Sequence, residues 1–154
     1  MEIVSKPIFR LFSYPHRITK DKRKKNCYRI SMHSIIIHRF FHRIIGLPVG
    51  KRTYTSLPEM FCETPDLFRH FLAGIIDSDG HVCSKYMAVI QKDREFLDNL
   101  SRKSEELLGI SFGPSRVNRI IDNEVRGWRI TICRKAELKK ALRTVPIKYK
   151  TRGL

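Results

Sequence analysis

The sequence predicts a mixed α+β protein in which helices pack against an antiparallel sheet. Stretches with helical apolar periodicity alternate along the chain with short strand-like stretches joined by turns. The pattern also repeats, because Tyr28–Met32 resembles Trp128–Ile132 and each copy precedes a helix, a proline and a lysine. A spacing of about 100 residues indicates a duplicated unit rather than a solenoid.

The first copy is incomplete. In chain order it predicts a strand at Ile8–Ile18 that Pro15 makes irregular, a basic turn at Lys20–Asn26, a strand at Cys27–Met32, and a helix from a Ser34 cap to Ile45. Everything that precedes the second hairpin of a full unit is missing from it. We therefore expect residues 1–58 to form a partial repeat and residues 59–154 a complete unit.

The complete unit begins with a helix for which Thr64 is the expected cap and Pro65 the first residue. The pattern then predicts strands at His81–Ser84 and Tyr86–Gln91, a helix at Arg94–Leu108 between Asp93 and Gly109, strands at Ile110–Ile121 and Arg126–Cys133 around an Asp122-Asn123 turn, and a helix at Lys135–Leu142. The predicted order is therefore helix, hairpin, helix, hairpin, helix.

The first helix of this unit carries one broad apolar face, formed by Leu67, Phe68, Phe71, Leu72, Ile75 and Ile76. Two small residues, Ala73 and Gly74, lie beside that face. A glycine inside a helix costs about 1 kcal/mol relative to alanine, so it requires a packing reason. Close approach of a second helix is such a reason.

Two aspartates, Asp77 and Asp79, close this helix. Each carboxylate there is disfavoured by about 0.3–1 kcal/mol, because the C-terminal end of the helix dipole is negative. A bound cation would reverse that sign, and carboxylates with carbonyls suit Mg²⁺ or Ca²⁺. The alternative is a buried helix followed by an Asp-Gly turn. Residues two apart do not share a helix face, so one aspartate can be structural while the other points at a site.

The charge is strongly segregated. The net charge is +16, yet residues 59–106 hold ten of the fifteen acidic residues and only six of the 31 basic ones. This distribution favours a polyanionic partner, most simply a nucleic acid, over an anionic membrane surface. No apolar run reaches the ~18 residues of a membrane span, and no signal peptide is visible, so we expect no membrane association and no secretion.

Two further residue patterns carry less weight. Cys27, Cys62, Cys83 and Cys133 form no CxxC pair, which indicates reduced, partly buried thiols in the cytoplasm or an organellar matrix. His38 and His42 have the i, i+4 spacing of a metal pair. Because no acid or cysteine lies near them in sequence, a plain helix surface is favoured.

Leu72–Gly80, with the sequence LAGIIDSDG, resembles the signature of the LAGLIDADG homing endonucleases at seven of nine positions. The resemblance implies about one and a half αββαββα units, with two motif helices side by side at the centre of a saddle. It also implies that Asp79 binds a divalent metal, Mg²⁺ or Mn²⁺, with the Ser78 main-chain carbonyl as a further ligand, and that Asp77 is structural. The expected helix interface is Leu67, Phe71, Ala73, Gly74 and Ile75.

The family pattern implies further site residues. Gln91 has the position of a polar residue that orients water, and Lys148 and Lys150 follow the last helix, where the family places a catalytic lysine. Simple phosphate contact remains the alternative for both lysines. Candidate DNA contacts lie on the hairpins: Lys85, Arg116, Arg119, Arg126 and Arg129, with Arg17, Lys20, Lys22, Arg23, Lys24 and Lys25 from the partial unit. Trp128 and Tyr28 are expected in the core.

The expected function is therefore metal-dependent, sequence-specific cleavage of double-stranded DNA, as in intron or intein homing. A single motif needs a partner helix, either in a homodimer or from another LAGLIDADG-containing chain. The alternatives are a regulator that binds nucleic acid without cleavage and an RNA-splicing maturase. Arg152-Gly153-Leu154 lacks the His-Asn ending of inteins, so self-splicing is not expected.

Overall fold

The computed structural model describes residues 17–20, 28–31, 33–46, 56–148 and 150. The chain divides into two compact units, Met1–Leu47 and Pro48–Leu154. The predicted repeat boundary after residue 58 concerns the duplicated pattern and stays a prediction. Lys22, Arg23, Lys24 and Lys25, with most of the strand predicted at Ile8–Ile18, lie outside the described residues.

The first unit contains a hairpin and a helix. Strand β1 (Arg17–Lys20) pairs antiparallel with β2 (Tyr28–Ser31). Helix α1 (Ile35–Arg39) follows, and the Ser34 hydroxyl accepts the Ile37 N–H at 3.3 Å, which confirms the predicted cap.

The predicted helix does not continue unchanged to Ile45. A π-helical turn at Phe40–Ile44 follows α1, in which the Ile45 N–H donates to the Phe40 carbonyl five residues earlier at 3.1 Å. The wider turn ends with Ile45 buried while Ile44 stays exposed. The His38 and His42 rings are exposed, with their centres 6.3 Å apart.

The second unit is built around a four-stranded antiparallel sheet of order β3-β4-β6-β5. Its elements are a 3₁₀ turn at Glu59–Cys62, α2 (Pro65–Asp79), β3 (Gly80–Val82), β4 (Met87–Gln91), α3 (Arg94–Leu108), β5 (Arg116–Ile121), β6 (Glu124–Ile132) and α4 (Lys135–Thr144). This order matches the predicted alternation of helices and hairpins.

Local signals account for most of these boundaries. Helix α2 starts where the Thr64 hydroxyl accepts the Leu67 N–H at 3.2 Å, and α3 starts where the Asp93 carboxylate accepts the Phe96 N–H at 3.2 Å. Helix α3 ends at Gly109, whose φ of +61° is the left-handed conformation that glycine adopts without strain. Asp122 and Asn123 have φ values of 51° and 60°, typical of the tight turn that joins β5 to β6. All four predictions are confirmed.

The strand predicted at Ile110–Ile121 begins only at Arg116. Ile110 is fully buried in the core, and the Gly113 N–H donates to the Thr131 carbonyl at 2.9 Å. The segment before Arg116 is therefore held by the core and by a single sheet bond instead of a strand ladder. Strands β5 and β6 then pair with two register shifts, on either side of Arg119.

The core lies on one face of the sheet. Its largest fully buried side chains come from three helices and from alternate positions of β4 and β6: Phe68, Leu72, Ile76, Leu97, Leu100, Met87, Val89 and Ile130, with Leu138 nearly buried. Strand β5 is exposed at every position. No helix among the described residues is long and apolar enough to cross a membrane.

The described cysteines, Cys62, Cys83 and Cys133, are free thiols. Cys62 and Cys83 are half-buried, and burial raises the pKa of the Cys62 thiol. Cys133 is exposed, contrary to the prediction of partial burial, because it follows β6 at the point where the strand leaves the core.

Candidate catalytic site and nucleic-acid interface

The candidate site is built at the junction between α2 and β3. Asp79 is the last residue of the helix and Gly80 the first of the strand. A Cβ atom on Gly80 would lie 2.5 Å from the Ile76 carbonyl oxygen and 2.8 Å from the Ile76 Cα. Since both atoms are main chain, no side-chain movement can make room. The chain therefore needs a glycine at residue 80 to turn sharply from α2 into β3, and this turn leaves Asp79 exposed.

Gly80→Ala is expected to lower the free energy of unfolding by about 1–3 kcal/mol, the usual cost of overpacking. Gly74→Ala is the matched control, because a Cβ there meets nothing within 4 Å. In the interior of α2 it should instead stabilise the monomer by up to about 1 kcal/mol. Urea denaturation of both variants measures the difference, and equal stabilities would contradict this account of the junction.

Asp79 and Gln91 are brought together. The Gln91 side-chain Nε2 donates to Asp79 Oδ2 at 2.7 Å, across twelve residues of sequence. Asp79 is exposed, and Gln91 is half-buried at the end of β4, opposite Trp128 of β6. The end of one strand and the end of one helix thus hold an amide and a carboxylate in direct contact, with the carboxylate open to solvent.

Asp77 makes a different set of contacts. Its Oδ2 accepts the main-chain N–H of Lys148 at 3.0 Å, and its Oδ1 accepts that of Lys150 at 3.2 Å. The structural role predicted for Asp77 is a local one, whereas these contacts join the helix end to a segment more than 70 residues away. They bring the main chain of both candidate lysines to the end of α2.

The oxygen atoms at this helix end fit a hard divalent cation. Asp79 offers an exposed carboxylate, and the Ser78 carbonyl belongs to the last helical turn, where carbonyls lack intrahelical partners. The Ser78 hydroxyl is already used, since it donates to the Ile75 carbonyl at 3.1 Å. Within the described ranges, no group of three or more His, Cys, Asp or Glu residues could hold a metal. Further ligands would come from water, DNA, a second chain or residues outside these ranges.

The apolar face of α2 divides into two. Phe68, Leu72 and Ile76 are buried, and Ala73, predicted at the helix interface, is also buried in the core with 5% of its surface exposed. The partly exposed side carries Leu67, Phe71, Gly74 and Ile75, which we call the open stripe. Leu67 is 40% exposed, while Phe61 stacks on Phe71 with ring centres 4.9 Å apart. No pattern in the sequence indicates that stacking.

The β5–β6 hairpin carries the candidate DNA contacts. Arg116 and Arg129 are exposed and are direct cross-strand partners, an arrangement that is destabilising unless an anion intervenes. Arg126 is exposed and pairs with Glu124 at 2.8 Å. The remaining described candidates are also exposed: Lys85, Arg119, Arg17 and Lys20.

Trp128 packs against the core, as predicted, and is half-buried. The Arg94 guanidinium lies 4.9 Å from the centre of its ring, so one ring face is covered by a cation. Stacking of a DNA base on that face is therefore disfavoured. The side chain of Tyr28 lies outside the described residues.

A cavity of about 690 Å³ lies beside the hairpin, and sequence patterns did not indicate it. Arg116, Arg129 and Arg134 line it together with Glu105 and Glu137. Both carboxylates are engaged by Ser111, whose hydroxyl donates to Glu105 at 2.9 Å and whose main-chain N–H donates to Glu137 at 3.2 Å. None of the three arginines has an ion-pair partner in the described part of the chain.

Comparison with known proteins identifies similar sequences and folds. A family model described as a LAGLIDADG-like domain matches residues 66–146, more than half of the chain. The structure resembles a variant of I-DmoI, crystallised in complex with its target DNA in the presence of Mg²⁺, with a TM-score of 0.67 and 12% identity over 96% of this chain and 72% of that one. It also resembles full-length DUF199/WhiA from Thermatoga maritima, with a TM-score of 0.59 and 15% identity over 94% of this chain.

The match spans only 44% of the WhiA chain. None of the curated proteins matches the chain in sequence. Together, the family model and the two structures confirm the predicted mixed α+β fold with its antiparallel sheet.

Proposed function

Since the chain belongs to the LAGLIDADG-like domain family, we propose that it is a sequence-specific endonuclease that hydrolyses double-stranded DNA with a divalent metal. One observation carries the proposal. The motif helix ends in an exposed carboxylate, Asp79, which is held by the Gln91 amide at 2.7 Å and lies on a junction that requires Gly80. A helix end that served only as a turn would not need a hydrogen-bonded acid open to solvent.

In the proposed mechanism, Asp79 and the Ser78 carbonyl would hold Mg²⁺ or Mn²⁺. When bound, the ion supplies Lewis-acid stabilisation of the charge that develops on the phosphate. Gln91 uses its amide nitrogen to fix the Asp79 carboxylate, so its amide oxygen is available to accept a hydrogen bond from the attacking water. Lys148 or Lys150 would offset negative charge on the phosphate, and the remaining lysine would contact the DNA backbone.

We place the DNA on the β5–β6 hairpin. Antiparallel strands can enter the major groove, where arginine binds guanine through two hydrogen bonds. The cross-strand pair of Arg116 and Arg129, with no ion partner in the described ranges, supports an anionic ligand at this surface. The similar I-DmoI structure is a complex with its target DNA, which supports the same class of partner.

Replacing Arg116 and Arg129 with alanine is expected to weaken DNA binding. Both side chains are exposed, so the free energy of unfolding should change by less than about 0.5 kcal/mol. A base contact would cost about 1–3 kcal/mol and relax specificity at one position, whereas a phosphate contact would weaken all sequences equally. Fluorescence anisotropy on matched and scrambled duplexes separates the two cases. Lys139→Ala, on the exposed side of α4, is the control, and an equal loss in that variant would contradict the assignment.

We propose that a second motif helix covers the open stripe of α2. It would come from another copy of this chain or from a different chain that contains the motif. Gly74 supports this proposal, because it is exposed and has no side chain. The helix surface at this position therefore leaves space where a second backbone could approach. A symmetric dimer would favour a near-palindromic DNA site, since protein symmetry is mirrored in the half-sites.

Gly74→Leu tests this assembly. The larger side chain should hold two helices apart and shift the chain from dimer to monomer, while the monomer itself stays folded because nothing lies within 4 Å of the added Cβ. Light scattering at micromolar concentration measures the mass, with Gly74→Ala as the milder step. A wild-type chain that is monomeric alone and with every motif-bearing partner would contradict the proposal.

The decisive experiment is cleavage of a randomised duplex library with Mg²⁺, with and without EDTA. Recovery of one cut sequence, lost when EDTA is present, is the expected result. A wild type that selects one duplex or RNA tightly but never cuts DNA with Mg²⁺ or Mn²⁺ would favour the regulator or the splicing maturase.

A further inference from the structure

We infer that Asp77 is a positioning residue, which anchors the segment after α4 and thereby holds the main chain of Lys148 and Lys150 at the helix end that carries Asp79. The catalytic part of this inference rests on the proposed endonuclease function. The anchoring part rests on geometry alone. The two aspartates of the motif thus have separate tasks. Asp77 binds the main chain after α4, and Asp79 belongs to the proposed metal site.

The Asp77 carboxylate is well suited to this task. Both of its oxygens accept a main-chain N–H, from Lys148 at 3.0 Å and from Lys150 at 3.2 Å. Hydrogen bonds to a charged acceptor are about twice as strong as neutral ones. Because the donors are main-chain groups, the contacts consume neither lysine ammonium group. The same two bonds also offset the unfavourable position of a carboxylate at a helix C-terminus.

The segment between α4 and the lysines is also fixed at the end that lies nearer to the helix. Val145 is buried, with 2% of its surface exposed, and its N–H donates to the Ala141 carbonyl at 2.9 Å. Ile147 packs against the core. Segments outside helices and strands are usually more mobile than the elements beside them unless they are tied down. Here the core secures residue 147 and Asp77 secures residues 148 and 150, so both lysines leave from anchored main chain.

Asp77 and Asp79 face different directions because they are two residues apart on a helix. Asp79 is exposed and contacts Gln91, whereas Asp77 is half-buried and contacts the chain after α4. Reaction rates depend steeply on placement, and an error of about 1 Å can cost about 100-fold. An anchor at the helix end that carries Asp79 would therefore fix the main chain from which a catalytic lysine reaches the proposed site.

The first test measures anchoring without any activity assay. Hydrogen exchange of the Lys148 and Lys150 amides should accelerate by about 10-fold or more in Asp77→Ala, and by less in Asp77→Asn, which keeps one acceptor oxygen. Asp66→Asn, at the other end of α2, is the matched control and should leave these amides unchanged. Unchanged exchange in both Asp77 variants, with the fold intact, would overturn the inference.

The second test asks whether Asp77 acts through the lysines. Asp77→Asn should lower kcat for DNA cleavage by about 10–100-fold with little change in DNA affinity. In a Lys148→Met, Lys150→Met background the same change should cause no further loss, since residues that act as a unit are not additive. Independent, multiplying losses would overturn the positioning role. If the wild type cuts no DNA, the proposed function fails, while the exchange measurement still decides the anchoring.

Discussion

Asp79→Asn is expected to reduce DNA cleavage by more than about 100-fold, because even residues that only support a metal ligand contribute about 10–100-fold. The substitution keeps the size of the side chain and removes its charge. Folding should be preserved or slightly improved in metal-free buffer, since a carboxylate at a helix C-terminus costs about 0.3–1 kcal/mol. Single-turnover cleavage with Mg²⁺, alongside DNA binding and thermal unfolding, measures all three effects.

Asp66→Asn is the control for that experiment. It makes the same chemical change in the same helix, but Asp66 is exposed in the first turn and pairs with Arg69. Cleavage should remain at the wild-type rate in this variant. An Asp79→Asn protein that still cut DNA at the wild-type rate would remove Asp79 from the site.

A second large effect is expected from salt. The chain carries a net charge of +16, concentrated outside residues 59–106. If it neutralises about six to ten phosphates, DNA affinity should fall by roughly 10³–10⁵ between about 50 and 200 mM salt. Anisotropy titrations at several salt concentrations give the slope, and each lost phosphate contact should reduce it by about one. An affinity independent of salt would exclude nucleic acid as the partner.

The parts of the fold that could be predicted depend on local signals. The Thr64, Asp93 and Gly109 boundaries follow from capping chemistry within one turn of helix, and the Asp122-Asn123 turn from two residues. The start of β5 could not be predicted, because burial of Ile110 depends on packing against distant elements. Burial of Ala73 could not be predicted for a similar reason, since helical spacing does not say which edge of a broad apolar face meets the core.

Prediction of the candidate site had the same limit, since contacts between segments that are far apart in sequence do not follow from local patterns. The motif and its spacing to Gln91 predict which residues would lie together, and the structure does bring Asp79 and Gln91 into contact. Their catalytic roles stay predictions. The contact between Asp77 and the main chain of Lys148 could not be predicted, because it joins residues 71 apart through groups that every sequence has. The arginine-lined cavity depends likewise on how segments far apart in sequence are folded together.

Strand β5 is exposed at all six positions and contributes nothing to the core. Substitutions at exposed positions of this kind usually change stability by less than about 0.5 kcal/mol. The residues that would read a DNA sequence are thus separate from those that keep the unit folded. If β5 reads DNA as proposed, single substitutions there would exchange one target for another without producing proteins that fail to fold. The hairpin is therefore the natural place to graft a new specificity by selection.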